Sequence, residues 1–256
     1  MASMSRSQIE EAARLLLEAR RSGDKLESLP EPFCPDSVQD GYAIQRTLAR
    51  QLGAIGGWKV GAPNAEATPL CGPMFADGLK PSPATLASRE YPLRGLEAEV
   101  AFRIGSDLPP RPKPYSRSEV IDAIASCHAA IEELESRFID LNRMDNPSLV
   151  ADCQSHGAFV YGPAVHDWQK IEWDCEPVVL LIDGKAAVEG VGSLPARDLL
   201  RLVTWLASVG ATWAGGLKAG DFVTTGSWTG KAYAENGGTV VARFPSLGKA
   251  VLTFEA

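Results

Sequence analysis

The stretch Leu96-Glu97-Ala98-Glu99-Val100-Ala101-Phe102-Arg103-Ile104 constrains this chain more than any other. Leu96, Ala98, Val100, Phe102 and Ile104 alternate with Glu97, Glu99, Ala101 and Arg103, the period-two pattern of a β-strand. Successive side chains point to opposite faces, so both glutamates share one face, their Cα atoms roughly 7 Å apart. Strands are poor in Glu unless the face is wet or the charge has a use. Two carboxylates this close raise each other's pKa unless a cation sits between them. A hard divalent ion bound by oxygen ligands, Mg²⁺ or Mn²⁺, would resolve the conflict. For the pair alone, a solvent-facing edge strand with ordinary surface charge is the alternative reading.

The 256 residues suffice for one large domain, or for a body with a small lobe. A net charge of −7 argues against nucleic acid or an anionic membrane as partner, while leaving room for a small anionic substrate beside a bound metal. There is no apolar run of about 18 residues and no signal-peptide core, so the cytoplasm is the default location. Five scattered cysteines without CxxC spacing read as reduced and mostly buried thiols, and His128, His156 and His166 lack the spacing of a zinc site.

Residues 1–6 read as a frayed end, followed by a capping box at Ser7 and Glu10 and an amphipathic helix ending near Gly23. A second helix starts at Asp36 or Ser37 and stops at Gly53. Residues 1–55 are thus a helical lobe and residues 56–256 the main body. Lys59 lies in the Gly-flanked strand Gly56–Gly61; partial burial would lower its pKa and make it a usable acid or base. Asp77 reads as a turn residue. Ser116 and Glu119 open a helix expected to bury Val120, Ile124 and Cys127, with His128 satisfied at its end. The acidic run Glu132-Glu133-Leu134-Glu135 follows directly, close enough for one carboxylate to reach the earlier pair. Asn146 to His156 reads as a polar connection, Ala158–Gly162 as a strand, and Val178–Val188 as a hairpin turning at Asp183-Gly184. Ser193 and Pro195 start a helix that ends at Gly210. A strand then runs into the Gly/Ser/Thr loop around Thr225–Gly230, which either presents donors to an anion or is a plain turn. Asn236-Gly237 and Leu247-Gly248 join the last strands.

The order of these motifs resembles the fumarylacetoacetate hydrolase superfamily, in the branch of 2-keto-4-pentenoate hydratases and 4-oxalocrotonate decarboxylases. The resemblance rests on Gly57-Trp58-Lys59-Val60-Gly61, Phe75-Ala76-Asp77, Glu97-Ala98-Glu99, Ala130-Ile131-Glu132 with Ser136-Arg137, and Leu217-Lys218-Ala219-Gly220 leading to Thr225-Gly226-Ser227. It implies an α+β fold, a mixed β-roll or sandwich with flanking helices and a small N-terminal helical lobe. It implies Glu97, Glu99 and Glu132 as ligands of Mg²⁺ or Mn²⁺, with Glu133 and Glu135 as competing registers for the third. Lys59 and Asp77 would be the catalytic groups. Ser155, His156, Thr225, Gly226, Ser227 and Thr229 would contact a small 2-oxo acid substrate, and the chain would form a homo-oligomer. His156 replaces the Asn common in related hydratases. No histidine precedes His128, which argues against the His–Glu water activation of the superfamily's hydrolases. The implied reaction is hydration of a 2-hydroxy-2,4-dienoate. The alternatives are decarboxylation of a 2-oxo-3-enedioate, C–C hydrolysis or tautomerisation, and a catalytically silent subunit.

Overall fold

The computed structural model describes residues 4–234 and 238–255. The chain opens with α1 (Arg6–Ser22) and α2 (Val38–Leu52), which pack against each other. Ser5 caps α1 in a capping box with Gln8, so the helix begins two residues earlier than Ser7 and Glu10 suggest; Glu10 instead pairs with Arg6. Ser37 caps α2 as expected. Ala12, Leu16, Ile44 and Leu48 interlock in a hydrophobic cluster that also takes in Phe75, Phe138 and Cys153.

Next come β1 (Ile55–Gly61), β2 (Leu70–Phe75), β3 (Leu79–Pro81), β4 (Ala84–Ala87) and β5 (Gly95–Ile104). The short α3 (Arg117–Ala123) carries the expected Ser116/Glu119 capping box, but it stops at Ala123. Ile124 begins a long strand, β6 (Ile124–Leu134), so Cys127 and His128 lie on the strand and not on a helix. His128 is satisfied nonetheless, between Ser126 Oγ and the Gly162 carbonyl, each at 2.8 Å. The connection after it is not irregular: it contains α4 (Asn146–Ala151) and a tight turn at Cys153–Ser155 before β7 (His156–Tyr161). The hairpin β8 (Pro177–Ile182) and β9 (Lys185–Val191) turns at Asp183-Gly184, both at positive φ. The helix α5 (Leu199–Trp205) is capped by Asp198; Ser193, expected to start it, instead donates to the Trp228 carbonyl. The last strands are β10 (Phe222–Ser227), β11 (Ala232–Tyr233), β12 (Gly238–Phe244) and β13 (Gly248–Glu255). The β12–β13 turn falls at Leu247-Gly248 as expected, while the Asn236-Gly237 turn lies outside the described residues.

Two sheets result. One runs β2-β1-β10-β5-β6-β7-β3 with β11 on the end of β5; the other runs β4-β13-β12-β8-β9. They stack with β12 and β13 against β5 and β6, and Val100, Phe102, Ile131, Val240, Phe244 and Leu252 fill the space between. Burying one such side chain contributes roughly 1.5–3 kcal/mol. That sum fixes the register of β5, because a one-residue slip would push Glu97 and Glu99 between the sheets. The opposite face of the larger sheet carries a small apolar floor of Met74, Ala101, Ala130, Phe159 and Phe222. Among the described residues no helix is long and apolar enough to cross a membrane. All five cysteines are free thiols; Cys71, Cys127 and Cys153 are buried.

Candidate metal centre and its cavity

The far face of the larger sheet collects the polar residues that the intersheet core rejects. Glu97 and Glu132 are direct cross-strand partners on β5 and β6, and Glu99 lies two residues along the same face. Carboxylate oxygens of all three lie within 4.8 Å of one another. The neighbouring acidic residues sit elsewhere. Glu133 points to the other side of β6, and Glu135 accepts from Lys25 Nζ at 2.7 Å and from the Leu93 amide at 2.8 Å.

Lys59 reaches the cluster from β1, where it pairs with Thr224 of β10. Its ammonium lies 2.6 Å from Glu132 Oε1 and donates to the Gln154 carbonyl at 3.0 Å. Burial alone would lower its pKa, but Glu132, Glu97 and Glu99 outweigh that and raise it. Partial burial therefore does not turn Lys59 into a neutral amine here; it is an ammonium. Glu132 is held below the usual carboxylate range, because Lys59 and His156 overcome the effect of burial. Glu99 is pushed well above it, first by burial and then by Glu132 and Glu97, and Glu97 is raised chiefly by burial. Such a cluster takes a cation readily.

The third ligand position is fixed by an unusual piece of backbone. Cys153, Gln154 and Ser155 hold φ of 50°, 54° and 58°, the left-handed region, which costs roughly 1–2 kcal/mol per non-glycine residue. This turn aims the Gln154 carbonyl at Lys59. A register shift between β6 and β7 follows at once, and it brings His156 onto the glutamate face. Gly157 sits tightly there, since a Cβ would lie 2.9 Å from Glu135 Cβ and 3.1 Å from the Glu133 carbonyl oxygen. His156 is buried, its pKa lowered chiefly by burial, and Nδ1 lies 3.1 Å from Glu132 Oε1. Lys59 and His156 thus share one oxygen of Glu132 and leave Oε2 buried without a hydrogen-bond partner. Glu99 is oriented by the Thr224 hydroxyl and the Gly226 amide. An all-oxygen donor set, an orphaned carboxylate oxygen and neighbours that hold the rotamers fit a hard divalent cation.

A cavity of about 210 Å³ opens beside the cluster. Lys59, Glu97, Glu99, Ser155, Gly226 and Ser227 line its polar side; Leu70, Leu134, Leu141 and Leu149 line the apolar side, with Lys231 also in the wall. Ser155 Oγ is buried and lacks a partner. The other residues named from the sequence fall differently. The Thr225 hydroxyl is spent on the Val100 carbonyl, and Thr229 Oγ1 accepts from the Ala98 amide while donating to the Gly230 carbonyl. Both tie the loop to the sheet. Asp77 is exposed on the turn after β2 and lines a separate cavity. Thr224, absent from the sequence reading, is the residue that touches the cluster; strand parity on β10 places it, not Thr225, on the glutamate face.

Three carboxylates that could hold a metal ion thus face a pocket on a two-sheet α+β body. Residues 84–255 match the family described as fumarylacetoacetate (FAA) hydrolase C-terminal. The chain belongs to that family, in the branch of 2-keto-4-pentenoate hydratases and 4-oxalocrotonate decarboxylases. It is 27% identical over 235 residues to a 2-keto-4-pentenoate hydratase of Paraburkholderia xenovorans (strain LB400), covering 88% of this chain and 86% of the relative. It is 26% identical over 234 residues to a 2-hydroxyhexa-2,4-dienoate hydratase of Comamonas testosteroni, covering 86% and 87%. The solved 4-oxalocrotonate decarboxylase of Pseudomonas putida G7, complexed with magnesium and adipate, shares the fold over 100% of both chains, with a TM-score of 0.87 and 22% identity.

Proposed function

We propose that the chain is a metal-dependent hydratase that adds water to a 2-hydroxy-2,4-dienoate, giving a 4-hydroxy-2-oxo acid. The observation that carries this reading is the convergence of Glu97, Glu99 and Glu132 beside a buried ammonium and a small, half-apolar cavity. The three carboxylates would hold Mg²⁺ or Mn²⁺, which supplies Lewis-acid polarisation of the planar carboxylate–ketone pair of a 2-oxo acid. The chain's own residues do the rest. Lys59, kept protonated by three acidic neighbours, is the proton donor at the cavity wall. A proton delivered from Lys59 to the terminal carbon of the dienol, with the enol O–H proton passing back to the lysine, makes the 2-oxo-3-enoate. Water then adds its hydroxyl at C4 and its proton at C3, so that one water is consumed and the lysine is restored. Ser155 Oγ, unpartnered at the cavity, is placed to hydrogen-bond the incoming water. Ser227 and the Gly226 backbone border the same space and would orient the substrate. Leu70, Leu134, Leu141 and Leu149 cover the alkene and exclude bulk water.

Lys231 favours a second reading. Its ammonium reaches the cavity wall, donates to the neutral Asn142 Oδ1 at 3.0 Å, and adds positive charge on the side of Glu97. A second substrate carboxylate could dock there, as decarboxylation of a 2-oxo-3-enedioate would require. Incubation with Mg²⁺ and either 2-hydroxypenta-2,4-dienoate or its 5-carboxy analogue, 2-hydroxyhexa-2,4-dienedioate, separates the two readings. Loss of the dienol absorbance without release of CO₂ supports the hydratase, and stoichiometric CO₂ overturns it. Residues 1–55 as a separate lobe, a cytoplasmic location and a homo-oligomer belong to the same proposal and rest on sequence and resemblance; light scattering of the purified protein tests the last.

A further inference from the structure

A larger cavity, about 650 Å³, lies where the end of α1 meets the β2–β3 turn and the chain beyond β4, and it shares no lining residue with the metal pocket. In a chain of net charge −7, its wall is basic. Arg20, Arg21, Lys25, Lys80, Arg89 and Arg137 line it, against Asp77, Glu90 and Glu135. Glu135 is already paired with Lys25, and Glu90 lies 3.8 Å from Arg89. Arg137 is bound to Asp152, which lies behind the wall. Arg20, Arg21 and Lys80 have no carboxylate partner among the described residues, and Lys80 donates only to the Asp77 carbonyl.

The inner end of the cavity is unsatisfied. Arg20 Nη2 and both terminal nitrogens of Arg137 converge on one acceptor, the His156 carbonyl, at 3.3 to 3.4 Å. These are long for charge-assisted bonds, which run near 2.7–2.9 Å. Arg20 Nε is buried without any partner. Burial, and then the charge of Arg137, lower the Arg20 pKa to about 10. Arg137 also donates to the Asp152 carboxylate and carbonyl, so the spare donor is Arg20 Nε, and the paired guanidiniums match a planar or tetrahedral oxyanion. Arg20 and Arg21 also lie in the last turn of α1, where the helix dipole favours their positive charge.

We propose that this cavity binds a small multivalent oxyanion, a phosphate or a dicarboxylate, gripped by Arg20 and Arg137 with Arg21 and Lys80 at its rim. The site joins the N-terminal helices to the β-body, so an occupant cross-links the two. It does not depend on the catalytic reading of the metal pocket.

The test is calorimetric titration of inorganic phosphate, and separately of succinate, into Mg²⁺-loaded protein at low ionic strength with no other polyanion present. At least one anion should bind at a single saturable site per chain, and the tighter of the two names the source. Arg20→Gln should weaken it by about tenfold or more, the scale of one lost hydrogen bond to a charged group. The rim variant Lys80→Gln, which removes no buried contact, should weaken it about two- to fivefold, the scale of one exposed ion pair. Absence of saturable binding for both anions overturns the proposal, and so does binding that both variants leave unchanged.

Discussion

His156 ties the residue-scale account together, because it touches the metal cluster without lining the cavity. It is buried and neutral, so its Nδ1 proton is the natural donor to Glu132 and its role is to hold that carboxylate still. Outer-shell partners of this kind are typically worth 10- to 100-fold in metal affinity. His156→Ala should weaken Mg²⁺ binding by about that factor, and His156→Asn, which keeps a donor of similar reach, by less; calorimetry on folded variants checks both. His128 allows a pH prediction away from the metal. Its pKa lies below the ordinary 6.5, chiefly through burial, so the unfolded chain takes up its proton first as pH falls. Stability from this residue is complete above pH 6.5 and is lost as pH falls through its lower folded value. Thermal midpoints between pH 7.5 and 5.5 should therefore drop further for the wild type than for a His128→Asn variant.

At the scale of elements, the larger sheet works because β1, β5, β6 and β10 each send alternate residues to the core and to the site. Trp58, Val100, Ile131 and Val223 face the main core, while Lys59, Glu99, Glu132 and Thr224 face away. Gly57 lets β1 approach β10: a Cβ there would lie 2.5 Å from the Phe222 carbonyl oxygen. Gly57→Ala should cost roughly 1–3 kcal/mol by overpacking and displace Lys59, so that the melting temperature and turnover fall together. Alternation also explains what was legible. The β5 strand, the shared face of Glu97 and Glu99, and the Asp183-Gly184 hairpin follow from period and turn chemistry, while the roles of the glutamates and Lys59 come from the resemblance. The α3-to-β6 switch does not, because Ile124-Ala125-Ser126-Cys127-His128-Ala129-Ala130 is small and mixed and suits either period. The left-handed turn at Cys153–Ser155 carries no glycine or asparagine to announce it, and tertiary contacts impose it. Thr225 comes from reading the segment as a loop; as the strand β10, its parity puts Thr224 on the glutamate face.

For the whole molecule, two stacked sheets put a hydrophobic core on one side of β5 and β6 and an acidic cluster on the other. The stability of the first holds the second together against its own repulsion. One cation would resolve that repulsion. Calorimetric titration of Mg²⁺ into the wild type and Glu99→Gln, with folding of both verified by circular dichroism, measures this. The wild type should bind one ion per chain and the variant should lose it. A folded Glu99→Gln protein that binds Mg²⁺ with unchanged stoichiometry and affinity would contradict that expectation.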